Sequence, residues 1–173
     1  MSVPQIILAL SSPRRESILR DIGIRFIKCP ADIDESVLPG EKPDKYVRRM
    51  AEAKAKKIAN QKKHKPVLGA DTIVLIDGRI LGKPKNREQA LRYITLLSNR
   101  THSVLTSVAL VRRDRCKSIL ARAEVTFRKI SKREAILYWE TGEPKDKAGG
   151  YGIQGVGGIF IDRIEGGHGT VIG

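Results

Sequence analysis

The chain has 173 residues, 33 Lys+Arg against 19 Asp+Glu, and a formal net charge of +14. With 40% hydrophobic and 30% charged residues its composition is globular, which excludes a mainly disordered chain; the length suits one domain, or two small lobes sharing a sheet. Only 5% of residues are aromatic, few for a protein that grips single-stranded nucleic acid by stacking, so the charge leaves nucleic acid and a phosphate-rich small molecule level as partners.

Ile6 to Leu10 reads as a buried, parallel-type strand. Ser12 at an N-cap and Pro13 at N1 open a helix to Asp21, which Gly23 ends. Arg25 to Lys28 forms a short strand, and Pro30 to Pro43 a loop carrying Asp32-Ile33-Asp34-Glu35. Asp44 to Asn60 is rich in Ala, Lys, Arg and Glu and predicts a long helix. Val67 to Ile76 is a strand, Asp77-Gly78 a two-residue hairpin turn, and Arg79 to Leu81 the return. Asn86 caps a helix to Leu97. Strands follow at His102–Arg113 and Lys117–Ile130, and then a helix from Ser131 to Glu140. Gly142 to Gly158 is a Gly-rich loop, and Ile159–Ile164 and Thr170–Ile172 are final strands. Alternating strands and helices without repeats predict an α/β or α+β sandwich.

Cys29 and Cys116 fit no metal spacing, and His64, His102 and His168 read as structural or surface residues. The start, Met1-Ser2-Val3-Pro4, leads into an apolar run that stops before Ser11, too short for a signal segment or a membrane span. Two lone cysteines then suggest a reducing cytoplasm. Positive charge concentrates at residues 42–65, with ten Lys/Arg and two acids, and at 112–133, with nine and two. Solvated helix face accounts for much of it.

Four positions break these patterns. Arg14 and Arg15 occupy the first turn of a helix directly after a buried strand, where positive charge opposes the helix dipole. They are either solvated or paired with a bound phosphate, since strand–turn–helix is a phosphate-binding geometry. Lys54 lies four residues after Met50 and four before Ile58, inside the apolar stripe of its helix. It either snorkels or meets an acid or phosphate. Asp71 interrupts the apolar run of its strand, where a carboxylate must be paired, hydrogen-bonded or metal-bound. Gly69 and Ala70 leave room for close approach to the backbone. A two-residue turn at Asp77-Gly78 pairs residues whose numbers sum to 155, which sets Thr72 opposite Lys83 and brings Lys83 near Asp71. The pair is either a structural ion pair or a base with its cation. Last, the segment Glu143 to Gly155 has no Gly-Lys-Ser/Thr ending and is no Walker A loop. It is either a surface loop or a base-reading one, with Tyr151 able to stack and Gln154 offering a donor and an acceptor. Glu35 beside Asp34 is either a second metal carboxylate or part of a solvated acidic loop.

Taken in order, Leu8-Ala9…Ser12-Pro13-Arg14-Arg15, Gly69-Ala70-Asp71-Thr72, Gly82-Lys83-Pro84, Thr101-His102-Ser103-Val104…Thr106 and Glu143-Pro144…Asp146-Lys147-Ala148-Gly149 through Gly155 resemble the Maf family of nucleoside triphosphate pyrophosphatases. The resemblance covers essentially the whole chain, residues 1–173, as a single domain. It implies an elongated, curved mixed sheet flanked by helices, with two lobes and a central cleft. It implies hydrolysis of a non-adenine nucleoside triphosphate to the monophosphate and pyrophosphate, a divalent cation (Mg²⁺ or Mn²⁺) and a homodimer. Membrane and nucleic acid are not expected partners. Asp71 is similar to the family's proposed general base. Ser12, Arg14, Arg15, Glu35, Lys54, Lys83 and Gln154 match its phosphate, metal and base contacts, with Glu35 and Asp71 as the metal carboxylates. Asp146 through Gly155 is similar to the group that hydrolyses dTTP and UTP, and Arg14, Thr72 and Gln154 match positions tied to that preference. A link to septum formation is implied only by the family.

The chain departs from the pattern at Leu10, where the family has Ser, so a phosphate-contacting hydroxyl is missing there or replaced by Ser11. The family also continues past Val171-Ile172-Gly173 with a C-terminal helix. A second hypothesis follows from these departures and the charge: a catalytically weakened, basic nucleotide- or nucleic-acid-binding regulator of cell division.

Overall fold

The computed structural model describes residues 5–62 and 64–173; Met1–Pro4, read above for a leader, lie outside them. The strands are β1 (Ile6–Leu8), β2 (Phe26–Lys28), β3 (Val67–Ile76), β4 (Arg79–Leu81), β5 (Thr101–Arg112), β6 (Arg115–Phe127) and β7 (Ile161–Gly166). The helices are α1 (Pro13–Asp21), α2 (Pro43–Gln61), α3 (Arg87–Leu97), α4 (Lys132–Glu140) and α5 (His168–Ile172). The strands form a mixed seven-stranded sheet in the order β2-β1-β3-β5-β6-β7, with β4 on β3. β1 is parallel to β2 and β3, whereas β3–β4 and β6–β7 are antiparallel.

The chain divides into two compact units, and β3, β5 and β6 contribute residues to both. The first takes the chain up to Asp71, Thr106–Leu120 and Gly173. Its strands alternate strictly. Ile7, Ala9 and Val67 face α2, packing with Ala51, Ala55 and Ile58. Leu8, Leu10 and Ala70 face the other way, against Leu19 of α1. Sheet between two helical layers is the solution that period-2 strands with two apolar faces demand. Leu10, where the resemblance implies a serine, is therefore a core residue, only 5% exposed.

The second unit takes Thr72–Leu105 and Ala121–Ile172. Its core joins Val74, Ile76 and Leu81 to Ile94, Leu97, Val125, Phe127, Tyr138 and Phe160. The Asp77-Gly78 turn has positive φ at both residues (49° and 72°), as a type I′ hairpin requires. Its ladder pairs Ile76 with Arg79, Leu75 with Ile80 and Val74 with Leu81, each summing to 155. The α4 start is a complete capping box between Ser131 and Glu134, and Asn86 caps α3 by accepting from the Gln89 N–H.

Several expected bounds are corrected. β1 ends at Leu8 rather than Leu10, β2 begins at Phe26, and β6 covers Arg115–Phe127 rather than Lys117–Ile130. The Gly142–Gly158 loop holds 3₁₀ turns at Glu143–Asp146 and Ala148–Gly150, and a third, Val156–Phe160, runs past its end, so β7 covers Ile161–Gly166 rather than Ile159–Ile164. Thr170–Ile172 is helical, not a strand. β7 stops at Gly166, whose φ of 110° turns the chain away, and Thr170 and Val171 pack inward from a short helix.

Candidate active site

Asp71 owes its surroundings to Gly69. A Cβ on Gly69 would overlap the Ala51 carbonyl oxygen and lie 2.8 Å from the Ala55 nitrogen, so only glycine lets α2 lie this close to β3. The close approach expected at Gly69 is thus made by a helix. Asp71 is two residues on, on the same face of the strand, and Lys54 lies on α2 between Ala51 and Ala55. The Lys54 Nζ donates to Asp71 Oδ1 at 2.7 Å and pairs with Glu35 Oε1 at 2.8 Å. Lys54 is buried, only 7% exposed, as its place in the apolar stripe predicts.

Glu35 reaches the same point because its loop is tied to the first turns of α2. Tyr46 donates its hydroxyl to the Glu35 carbonyl at 2.8 Å. Arg49 forms a fork onto Glu41, 2.6 Å for each bond, and a third bond to the Ser36 carbonyl. Ser36 in turn donates twice to Asp34. The acidic stretch is therefore an ordered loop, although Glu35 itself is exposed. Tyr46 and Arg49 hold the loop that carries Glu35, and the sequence reading missed both. The one available signal was Tyr46, a phenol at the start of the apolar stripe with a hydroxyl that must find a partner.

Arg15 enters from α1, on the opposite face of the sheet. Its guanidinium donates to the Ala70 carbonyl at 3.3 Å and to the Gly173 carbonyl at 3.0 Å. Burial pushes Arg15 down to about 10, against the attraction of Asp71, so it stays cationic at neutral pH. Arg14 is half-buried beside it and adds like charge. Ser12 stands at the N-cap with extended backbone, but its hydroxyl makes no capping bond. Burial raises the Asp71 carboxyl from its ordinary value, with Lys54 and Arg15 pulling the other way. Burial, reinforced by Asp71 and Glu35, pushes the Tyr46 phenol up to about 12.

The first unit thus brings together Arg14, Arg15, Lys54, Glu35 and Asp71. Three cations flank two carboxylates, one with raised proton affinity. Such a site can hold an anion, orient water and accept its proton. Among the described residues no three His, Cys, Asp or Glu converge as a metal cage. Glu35 and Asp71 both offer hard oxygens, but the two that converge do so on the Lys54 ammonium, so a divalent ion would have to take the remaining carboxylate oxygens together with substrate phosphate.

Thr72, Lys83 and Gln154 lie in the second unit. Thr72 is half-buried and follows Asp71 directly. The β3–β4 ladder ends at Val74–Leu81, so the expected Thr72–Lys83 pair is not a ladder pair, and Lys83 is exposed. Its segment is held by a bond from Gly149 N–H to the Gly82 carbonyl at 3.1 Å. Gln154 is exposed. Tyr151 is not available to stack on a base. It is 5% exposed, packs edge-on against Phe127, and its hydroxyl meets His102 Nε2 at 2.7 Å.

A family described as Maf-like protein matches residues 5–173. A dTTP/UTP pyrophosphatase of Pseudoalteromonas atlantica is 44% identical over 97% of this chain and 90% of its own length. One from Photobacterium profundum is 45% identical over 100% of this chain and 92% of its own. A solved dITP/XTP pyrophosphatase from Mycobacterium abscessus aligns with a TM-score of 0.48 and 15% identity over 73% of this chain and 75% of that one. With nearly its whole length matched, this chain belongs to the Maf family.

Proposed function

We propose that residues 1–173 act as one catalytic domain, a nucleoside triphosphate pyrophosphatase acting on dTTP and UTP. The observation that carries the reading is the buried Lys54–Asp71 pair, joined by Glu35 and flanked by Arg15. The dTTP/UTP pyrophosphatases at 44–45% identity support the substrate class.

The triphosphate is held by charge-assisted bonds from Arg14, Arg15 and Lys54, with Ser12 adding a hydroxyl. Asp71 orients a water against the α-phosphorus and takes its proton. The new P–O bond forms as the bond from the α-phosphorus to the α–β bridging oxygen breaks, giving the monophosphate and pyrophosphate. The raised proton affinity of Asp71 makes it a better base than an ordinary aspartate, and Lys54 keeps it ionised. Lys83 stabilises the leaving pyrophosphate, and Thr72 and Gln154 read the base. Glu35 and Asp71 would hold Mg²⁺ or Mn²⁺, which supplies charge neutralisation at the phosphates.

Family membership also supports a homodimer, and the free thiols of Cys29 and Cys116 support a cytoplasmic home. No described helix is long and apolar enough to cross a membrane. The test is pyrophosphate release from dTTP, UTP, CTP, GTP and ATP with Mg²⁺ or Mn²⁺. Release concentrated in dTTP and UTP is expected. No release from any of them, together with salt-sensitive binding to DNA or RNA, would replace the enzyme by a nucleic-acid-binding regulator.

A further inference from the structure

The segment carrying Gln154 is fastened on both sides. Before it, Tyr151 is bonded to His102 inside the second unit's core. After it, the backbone N–H of Val156 donates to Glu143 Oε2 at 2.7 Å, and that of Gly157 to Glu143 Oε1 at 3.2 Å. The Tyr138 hydroxyl adds a third bond to Oε1 at 2.9 Å. Burial, and then Glu143, push the Tyr138 phenol strongly up, so it stays a donor. One carboxylate thus receives three donors from two segments, and two of those donors belong to the turn that follows Gln154.

The same carboxylate explains Gly155. Its backbone is extended (φ −119°, ψ −157°), so conformation does not demand glycine. A Cβ there would overlap the Glu143 carboxylate. Gly155 keeps room for the acceptor rather than for a turn.

We infer that Glu143 is a positioning residue for base selection: its carboxylate fixes the Gln154-Gly155 turn through the Val156 and Gly157 amides, so that the exposed Gln154 amide is presented in one orientation to the pyrimidine edge. This deepens the proposed activity and rests on it. A donor–acceptor reader discriminates only when it is held, because misplacement by about 1 Å costs on the order of a hundredfold. Three charge-assisted bonds onto a half-buried carboxylate supply that hold.

The test measures kcat and KM for UTP and CTP with Mg²⁺ in wild type, E143A, E143Q, G155A and E143A/G155A, with thermal melting alongside. E143A is expected to lower kcat/KM for UTP about ten- to a hundredfold, mainly through KM, and to shrink the UTP/CTP ratio by a similar factor. E143Q keeps one carbonyl acceptor and is expected to lose less. G155A is expected to mimic E143A in the wild-type background but to add less than about twofold once the carboxylate is gone, since the two act through one contact. A wild type with no pyrophosphate release overturns the activity and this inference with it. An active, selective wild type whose E143A variant keeps its UTP/CTP ratio overturns this inference alone. Should E143A fail to fold, unchanged ratios in E143Q and G155A overturn it equally. Additive losses in E143A/G155A would do the same.

Discussion

Replacing Lys54 by Met removes the charge but keeps an unbranched side chain at the centre of an apolar stripe. Methionine therefore fits beside Met50 and Ile58, and packing loss is small. What changes is Asp71. Its carboxylate is 14% exposed and would lose the bond at 2.7 Å that most opposes burial. Leaving a buried charge unpaired costs about 3–5 kcal/mol. The aspartate can escape by taking up a proton, which at pH 7 costs about 4 kcal/mol from an ordinary value near 4. The two limits agree, so K54M is expected to lose about 3–4 kcal/mol at pH 7. Glu35 adds little, because half of its side chain faces solvent. The pH dependence separates this account from simple misfit. A folded-state pKa raised above the unfolded value contributes stability below the unfolded value and loses it as pH rises through the folded one. Removing Lys54 raises Asp71 further, so the deficit of K54M should shrink steadily from pH 7 toward pH 4.5. Urea unfolding across that range measures it. A deficit below about 1 kcal/mol, or one independent of pH, would show that Lys54 does not hold the ionised Asp71. The acid limb of kcat should also move to higher pH in any residual activity.

Three further outcomes are expected. D71N should cut turnover by roughly a hundred- to ten-thousandfold in the pyrophosphate assay while its unfolding curve stays cooperative, and near-native turnover would remove Asp71 as the base. G69A should force α2 away from β3, costing about 1–3 kcal/mol and several degrees of melting temperature, and lower turnover because Lys54 moves with Ala51 and Ala55; an unchanged melt would mean the helix yields freely. Burial holds the His102 imidazole down at about 4, so its contribution to stability is present above pH 6.5 and lost as pH falls toward 4, about 2–3 kcal/mol by pH 4.5. H102Q, neutral throughout and still able to bond Tyr151, should flatten that decline, and parallel stability curves for the two proteins would refute it.

The features legible in the sequence were those whose cause lies within about ten residues. Lys54 stands out because it falls inside the stripe Val47, Met50, Ala51, Ile58, where it either snorkels or meets a partner, and the structure buries it against Asp71 and Glu35. Asp71 stood out because nothing apolar explains a carboxylate in Val67–Ile76. The Asp77-Gly78 turn fixed the strand register by arithmetic alone. Where the partner is distant in sequence, the reading failed. Tyr151 looked like a base-stacking platform because its loop is Gly-rich, but His102, 49 residues earlier, claims its hydroxyl, and Phe127 its ring. Lys83 extrapolates onto the ladder because turn arithmetic sets register but not length; the pairing ends at Leu81, where Gly82 and then Pro84 break the strand. Glycines show the difference most sharply. Gly78 is legible, since a two-residue turn needs positive φ. Gly69 tells only that something comes close, and Gly155 not even that, because each leaves room for an atom elsewhere in the chain: the Ala51 carbonyl in one case, the Glu143 carboxylate in the other. A glycine with no local reason to be glycine therefore marks a close contact, and here the two contacts lie behind Asp71 and Gln154, the proposed base and the proposed reader of the nucleotide.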